Sequence, residues 1–367
     1  MTNCRTTSRL ADDCLTLDCA VAVERISQAI RRTLATFRRR GVIVALSGGI
    51  DSSVTAALCV RAVGVSRVFG VHMPERDSAA DTLPLSKCVS DHLRLNSIVE
   101  DITPILNSVG CYQRQEEAIR LVIPQYGPGW KSKVVIESAL QNGGFTFFKI
   151  VAQSPDGQII KRRLNSHAYL GIVAATNFKQ RVRKMMEYYH GDRLNYAVAG
   201  TPNRLEYDQG FFVKLGDGAV DLKPIAHLYK SQVYQLAGYL GIPDQIRERL
   251  PTTDTYSLPQ GQDEFYFSLT YERMDLCLFA RNHNYPPDSV AALVNLSVEQ
   301  VQRVYRDIDA KRSATKYLHA GPQLVEEVFA PQTPAAIIGI VNSPRIPLRD
   351  GEIGVRESWP GQEKKYT

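Results

Sequence analysis

The stretch "ALSGGIDSSVTAAL" (residues 45–58) sets two glycines, an aspartate and three serines into a run of small apolar residues. The surrounding pattern predicts a short buried strand, "VIVAL" (42–46), and a helix, "SSVTAALCVRAVG" (52–64), joined by the glycine-rich turn. Gly48 and Gly49 carry no Cβ, so an anion can approach backbone N–H groups there. The start of the helix adds partial positive charge, and Ser47, Ser52 and Ser53 offer hydroxyl donors. Together these describe a cradle for phosphate. The loop is neither G-x-x-x-x-G-K-[ST] nor G-x-G-x-x-G, so no lysine is placed to follow a γ-phosphate and no dinucleotide fingerprint is present. Asp51 is electrostatically misplaced against a phosphate unless a cation lies between them, which points to Mg²⁺ shared by the carboxylate and phosphate oxygens. A strand–helix turn that is merely glycine-rich has the same composition, and the loop alone leaves that reading open.

The elements that must position this loop alternate. A helical pattern starts at Asp18, with Ala22, Ile26, Ala29, Leu34 and Phe37 on one face and Gly41 as its expected stop. Strands are predicted at 68–73, 97–102 and 196–201, and a further helix at 85–95. This is the pattern of an α/β fold, a parallel sheet with helices on both faces, in which ligands sit beyond the carboxyl ends of the strands. Residues 106–176 break the rhythm. They hold the turn-forming "PQYGPGW" and a hairpin pattern over 145–164, with Pro155-Asp156-Gly157 at its turn. The expected organisation is therefore 1–105, an N-terminal helix and the first half of the α/β domain; 106–176, an insertion; 177–330, the second half with a helical C-terminal part over 265–328; and 331–367, an extended Pro/Gly-rich tail.

The 367 residues carry a net charge of +6, mild enough to suit an anionic small molecule and weak as an argument for nucleic acid. No apolar run reaches the roughly 20 residues that span a bilayer, and the polar N-terminus does not read as a signal peptide. A cytoplasmic enzyme with no membrane partner is expected. The seven cysteines form no Cys-x-x-Cys pair and no zinc-ligand spacing, so buried or incidental thiols are expected.

Ser-Gly-Gly-x-Asp-Ser after a strand resembles the pyrophosphate-binding loop of the ATP pyrophosphatases, the PP-loop superfamily. A second block narrows the resemblance: "GTPNRLEYDQGFFVKLGDGAVDLKPIAHLYKSQVYQLAGYLGIP" (200–243) looks like NAD synthetase, ammonia-dependent type. "PTTDT" (251–255), "DEFYFSLTYERMD" (263–275) and "NFKQRVR" (177–183) resemble further segments of that family. The resemblance covers most of 18–105 and 177–318. It implies an adenine nucleotide alpha-hydrolase-like, Rossmann-like fold. It also implies an amide-forming ligase that adenylates the nicotinate carboxylate of deamido-NAD and transfers ammonia to it, giving NAD, AMP and pyrophosphate. Carried over residue by residue, the ATP-binding set is Ser47, Gly48, Gly49, Asp51, Ser52, Ser53, Met73, Thr201, Lys230 and Thr252. Asp51 and Lys230 would be catalytic, and Asp51 and Glu206 would hold Mg²⁺. Arg181, Lys214, Asp221 and Lys311 would contact the acid substrate.

The resemblance departs from the family in two places. A basic His-Lys pair near the C-terminus is here Ala310-Lys311, and the 106–176 segment is longer than its family counterpart. Lys131, Lys133, Arg162 and Arg163 within it are candidate substitutes for the missing contact. A related PP-loop ligase amidating a different carboxylic acid is the alternative. Only 46 residues precede the loop, so free ammonia or a separate glutaminase partner is expected to supply nitrogen. The resemblance further implies a homodimer. "PDSVAALVNLSVEQVQRVYRDI" (287–308) has a helix–turn–helix look that would suit DNA, but a pair of packed helices is the preferred reading.

Overall fold

The structure, a computed structural model, describes residues 13–137, 147–249, 255–259, 261 and 269–326. Two units are distinguished. Met1–Ala320 carries every element named here, and of Gly321–Thr367 residues 321–326 are described and form no helix or strand.

The first half runs α1 (Cys19–Phe37), β1 (Gly41–Ala45), α2 (Ile50–Val63), β2 (Val68–His72), α3 (Thr82–His92), β3 (Asn96–Val99), α4 (Thr103–Ser108) and α5 (Cys111–Arg120). Three strands follow, β4 (Lys131–Glu137), β5 (Phe147–Gln153) and β6 (Ile159–Arg163), and then the long helix α6 (Ser166–Leu194) and β7 (Tyr196–Ala199). The remainder is helical: α7 (Arg204–Gln209), α8 (Lys230–Tyr239), α9 (Asp244–Arg247), α10 (Tyr271–Asn282), α11 (Asp288–Ala291) and α12 (Val298–His319).

Four strands form a parallel sheet in the order β3-β2-β1-β7. β1, β2 and β7 are short and nearly all apolar because both faces are covered, as a parallel sheet requires, whereas the edge strand β3 is largely exposed. One face packs α1, α2 and α8 through Ile26, Val54, Leu58 and Val233. The other packs α6 through Val182, against Ile43, Val71 and Val198. The α/β class with helices on both faces is thus observed.

Two local expectations change. Helix α1 ends at Phe37, not at Gly41. Arg38 takes the left-handed conformation (φ 53°) and its N–H meets the Ala35 and Leu34 carbonyls. Gly41 instead opens β1, where a Cβ would lie 2.4 Å from Arg67 O and 2.5 Å from the Tyr196 ring. Among the described residues of the C-terminal part the helices lie within 271–319, and Ala320 leaves the last of them in an extended conformation. The tail 331–367 lies outside the described residues.

β4, β5 and β6 form an antiparallel sheet of their own. Ser154 N and Gln158 O close the β5–β6 turn at 2.9 Å, and Gly157 supplies φ +89°. Val134, Ile150 and Ala152 of this sheet pack on Ile119 of α5 and Ala168 and Ile172 of α6. Its first strand also binds residues 257–259: Ser132 N donates to Ser257 Oγ at 2.9 Å, and Lys133 Nζ to Pro259 O at 3.0 Å. The helix–turn–helix-like segment is core. Val290, Val294, Val301, Val304 and Ile308 pack with Met274 and Leu278 of α10, and Arg312 is ion-paired to Asp208.

Candidate active site

A cleft of about 230 Å³ opens where β1, β2 and β7 end. Ser47, Gly49, Asp51, Ser52, Met73, Thr201, Glu206 and Lys230 all line it, so four stretches separated in sequence meet there.

The loop between β1 and α2 is held by its own hydroxyls. Ser47 Oγ lies 3.1 Å from Ser52 Oγ and accepts from Gly49 N at 3.3 Å. Ser52 and Ser53 donate to Gly49 O at 3.0 and 2.8 Å. Ser53 is fully buried and does not line the cleft, so its work is to tighten the turn. The two glycines differ. Gly48 has φ +73°, and a Cβ there would lie 2.8 Å from Leu85 Cβ and 2.9 Å from Ser86 N. Its bareness admits α3. Gly49, with only Ser47 Oγ within 4 Å of a built Cβ, keeps the approach open.

Asp51 opens α2 and receives two donors from distant parts of the chain. Lys230 Nζ makes an ion pair with its Oδ2, and Asn203 Nδ2 donates to its Oδ1 at 3.1 Å. Asn203 also ties in the second carboxylate: its N–H meets Glu206 Oε2 at 3.1 Å, and its Oδ1 accepts from Glu206 N, a capping box at the start of α7. Lys230 is 2% exposed. Burial works to lower its ammonium, but the carboxylates of Asp51 and Glu206 outweigh burial and hold its pKa above the ordinary value. The start of α8, which carries Lys230, is fixed from α10. Both oxygens of the buried Asp275 accept backbone N–H groups, from Lys230 at 3.2 Å and Ser231 at 2.7 Å. Burial pushes the Asp275 carboxyl up to about 6, against those two N–H groups.

The donor set suits Mg²⁺. Asp51, Glu206 and the Thr201 hydroxyl offer hard oxygen donors on one cleft beside the glycine-rich loop. Mg²⁺ commonly takes one or two carboxylates and completes its shell with phosphate oxygens and water. Among the described residues no cluster of three or more His, Cys, Asp or Glu ligands occurs, so an all-protein cage is not what these residues build.

The opposite wall is α6, which presents Gln180, Arg183, Lys184 and Glu187, with Asp217 beside them. Lys184 Nζ lies 2.7 Å from Glu187 Oε2, and both side chains are buried. Burial raises the Asp217 carboxyl although Val213 N donates to it at 2.7 Å. His72, at the end of β2, also lines the cleft. Its Nδ1 meets Ser86 Oγ at 2.8 Å, and burial holds its pKa below the ordinary value. None of Asn203, Lys184, Glu187, Asp217, His72 or Asp275 was given a role from the sequence, although Asp217 and Asp275 lie in the segments that carry the family resemblance. Asn203 had a signal in the Asn-x-x-Glu of a capping box, whereas Lys184 and Glu187 read as an exposed helix pair.

The four acid-substrate residues lie elsewhere. Arg181 is exposed on α6, with its Nε 3.4 Å from Lys214 O. Lys214 Nζ donates to the Tyr317 and Ala320 carbonyls at 2.7 and 3.0 Å. Asp221 accepts from Val198 N at 2.8 Å and from the Tyr188 hydroxyl at 3.2 Å. Lys311 pairs with Asp307 at 2.7 Å. None of the four lines the cleft. Thr252 lies outside the described residues.

The family profile described as NAD synthase matches residues 22–123 and 151–316, passing over 124–150, which hold β4 and the start of β5. The NH(3)-dependent NAD(+) synthetase of Rhizobium meliloti (strain 1021) is 58% identical over 316 residues, 86% of this chain and 95% of that protein. The protein of the same description from Mesorhizobium japonicum is 58% identical over 315 residues, 86% of this chain and 99% of that one. The solved NH3-dependent NAD synthetase of Campylobacter jejuni shares the fold, with a TM-score of 0.56 at 22% identity over 85% of this chain and all of that one. A profile spanning both halves of the sheet domain, and relatives this similar over nearly their whole length, place the chain in the NAD synthase family, ligases that form a carbon–nitrogen bond.

Proposed function

We propose that the cleft binds ATP and deamido-NAD and converts the nicotinate carboxylate to its amide in two steps. The observation that carries this is the pairing of Lys230 with Asp51, 179 residues apart, inside a loop shaped for phosphate. In the first step a carboxylate oxygen of the nicotinate attacks the α-phosphorus. An O–P bond forms, and the bond to the bridging oxygen breaks with its electron pair leaving on pyrophosphate. Loop 47–52 and the start of α2 receive that pyrophosphate through backbone N–H groups. Lys230, kept charged by its two carboxylates, offsets the charge that builds there. In the second step ammonia attacks the activated carbonyl, AMP leaves, and one proton is released. No covalent enzyme intermediate is required, so positioning and electrostatics supply the rate. Asp51 and Glu206 would hold Mg²⁺, which when bound screens phosphate charge.

The names of the close relatives support free ammonia as nitrogen source. The exposed Arg181, Met185 and Tyr189 follow at four-residue steps on α6, which supports a homodimer through that helix. Among the described residues no helix is long and apolar enough to cross a membrane, and their six cysteines form no disulfide, which supports a cytoplasmic reading. A different carboxylic acid as substrate is the second reading, favoured by the position of Arg181, Lys214 and Lys311 away from the cleft. The test is pyrophosphate exchange into ATP against a panel of carboxylic acids. Exchange that depends on deamido-NAD is expected, and exchange that proceeds only with another acid overturns the first reading. Sedimentation showing only monomer at micromolar concentration would overturn the dimer.

A further inference from the structure

The wall of the cleft formed by α6 carries a buried cation that the nucleotide residues do not use. Lys184 lines the cleft, and its ammonium rests on Glu187 one turn further along the same helix. Buried ion pairs are weak sources of stability, and apolar residues of similar volume commonly serve as well. Stability therefore does not account for a charged pair at this place.

Topology says which ligand faces it. The phosphate loop and α8 lie against one face of the parallel sheet and α6 against the other, while the cleft runs across the edge between them. Displacement at phosphorus is in line, so the nucleophile enters opposite the departing pyrophosphate. With pyrophosphate on the loop at the start of α2, the attacking carboxylate arrives from the α6 side. Arg181, Lys214 and Lys311 do not line the cleft, which leaves Lys184 and Arg183 as the described cations on that wall.

We infer that Lys184, aimed by Glu187, binds the carboxylate of the acid substrate and is a specificity-determining residue of the ligase. One carboxylate oxygen accepts from the Lys184 ammonium while the other attacks phosphorus, and no proton is transferred. The inference rests on the ligase reading above.

The experiment measures Michaelis constants for deamido-NAD and for ATP in the full-length enzyme. Lys184→Met should raise the constant for deamido-NAD about ten- to hundredfold, the loss of one charge-assisted hydrogen bond, and leave that for ATP within about twofold. Lys184→Arg should restore part of the loss. Because Lys184→Met leaves Glu187 buried without its partner, the double variant Lys184→Met/Glu187→Leu removes both charges and should fold with the same raised constant. A folded double variant with the wild-type constant for deamido-NAD overturns the inference, as does an equal rise for ATP. Absence of deamido-NAD-dependent exchange in the wild type would instead overturn the ligase reading and this inference with it.

Discussion

The two walls of the cleft both present cationic or N–H donors, yet they are built from different materials. On the α2 wall the donors are backbone N–H groups and short hydroxyls fixed by a seven-residue turn, joined by one lysine from a distant helix. On the α6 wall the charges are long side chains of a single helix, Lys184 and Glu187, with Asp217 beside them. Backbone donors come pre-aligned and cost little reorganisation, which suits a leaving group common to every turnover. Side-chain charges are readily exchanged by mutation, which suits the part that chooses the acid. The difference suggests that rate is set on one wall and substrate choice on the other.

The strongest way to break this division is to remove the cation of the α2 wall. Lys230→Met should lower kcat by about a hundred- to thousandfold while changing the constant for deamido-NAD far less. A loss confined to deamido-NAD binding would reverse the assignment. Asp51→Asn removes a carboxylate from the proposed metal site and one partner of Lys230. About a hundredfold loss of pyrophosphate release is expected in a protein that still melts cooperatively, and an unchanged release rate would exclude Asp51 from the chemistry. Gly48→Ala tests the wall as a scaffold. At φ +73°, with α3 backbone 2.9 Å from the new methyl, it should lower stability by roughly 2–3 kcal/mol, read as a drop in Tm. A variant as stable as wild type would mean that α3 yields more easily than its packing suggests.

Asp275 offers a test by pH. Its carboxyl is raised to about 6 in the folded protein against 3.8 as its ordinary value, so the native state binds the extra proton. Its contribution to stability is therefore present below about pH 4 and is lost as pH rises toward 6, by on the order of 3 kcal/mol at most. Asp275→Asn should flatten the melting temperature between those limits relative to wild type, and parallel curves would show that Asp275 titrates normally. The smallest effect is expected from Arg162→Ala/Arg163→Ala. Both side chains are exposed on β6 and absent from the cleft lining, so the constant for deamido-NAD should stay within about twofold. A larger rise would bring the antiparallel sheet into the acid site.

The α2 wall was legible in the sequence because its parts are contiguous: Ser47 to Ser53 act together over one turn, and a strand before and a helix after are enough to place them. Lys230 and Glu206 needed the family resemblance to be joined to it, since nothing local ties either to Asp51. The α6 wall was not legible. Lys184 and Glu187 have the spacing of an ordinary surface ion pair, and only the sheet beneath them and Asp217 across from them turn that face inward. β4 escaped notice for a similar reason. "KSKVVIE" alternates too weakly to announce a strand until β5 is laid beside it, seven residues in register. Gly41 shows the converse error: a glycine after a basic run reads as a helix stop, while its real constraint is the Tyr196 ring packed against it.

Helix α6 spans 29 residues, about 43 Å at 1.5 Å per residue, and is tied along its whole length. Ala168 and Ile172 grip the antiparallel sheet, Lys179 is clamped between Glu75 and Asp77 at 2.8 Å, Lys184 faces the cleft, and His190 meets Glu100 at 2.9 Å. Such a helix behaves as a ruler whose marks are read by angle as well as by distance. Deleting one residue between 173 and 178 turns everything beyond it by about 100°. Lys179 would swing off its two carboxylates and Lys184 out of the cleft, although no residue of either contact had been changed. Of these six residues the exposed Ala174 can be exchanged most freely, but their number is fixed.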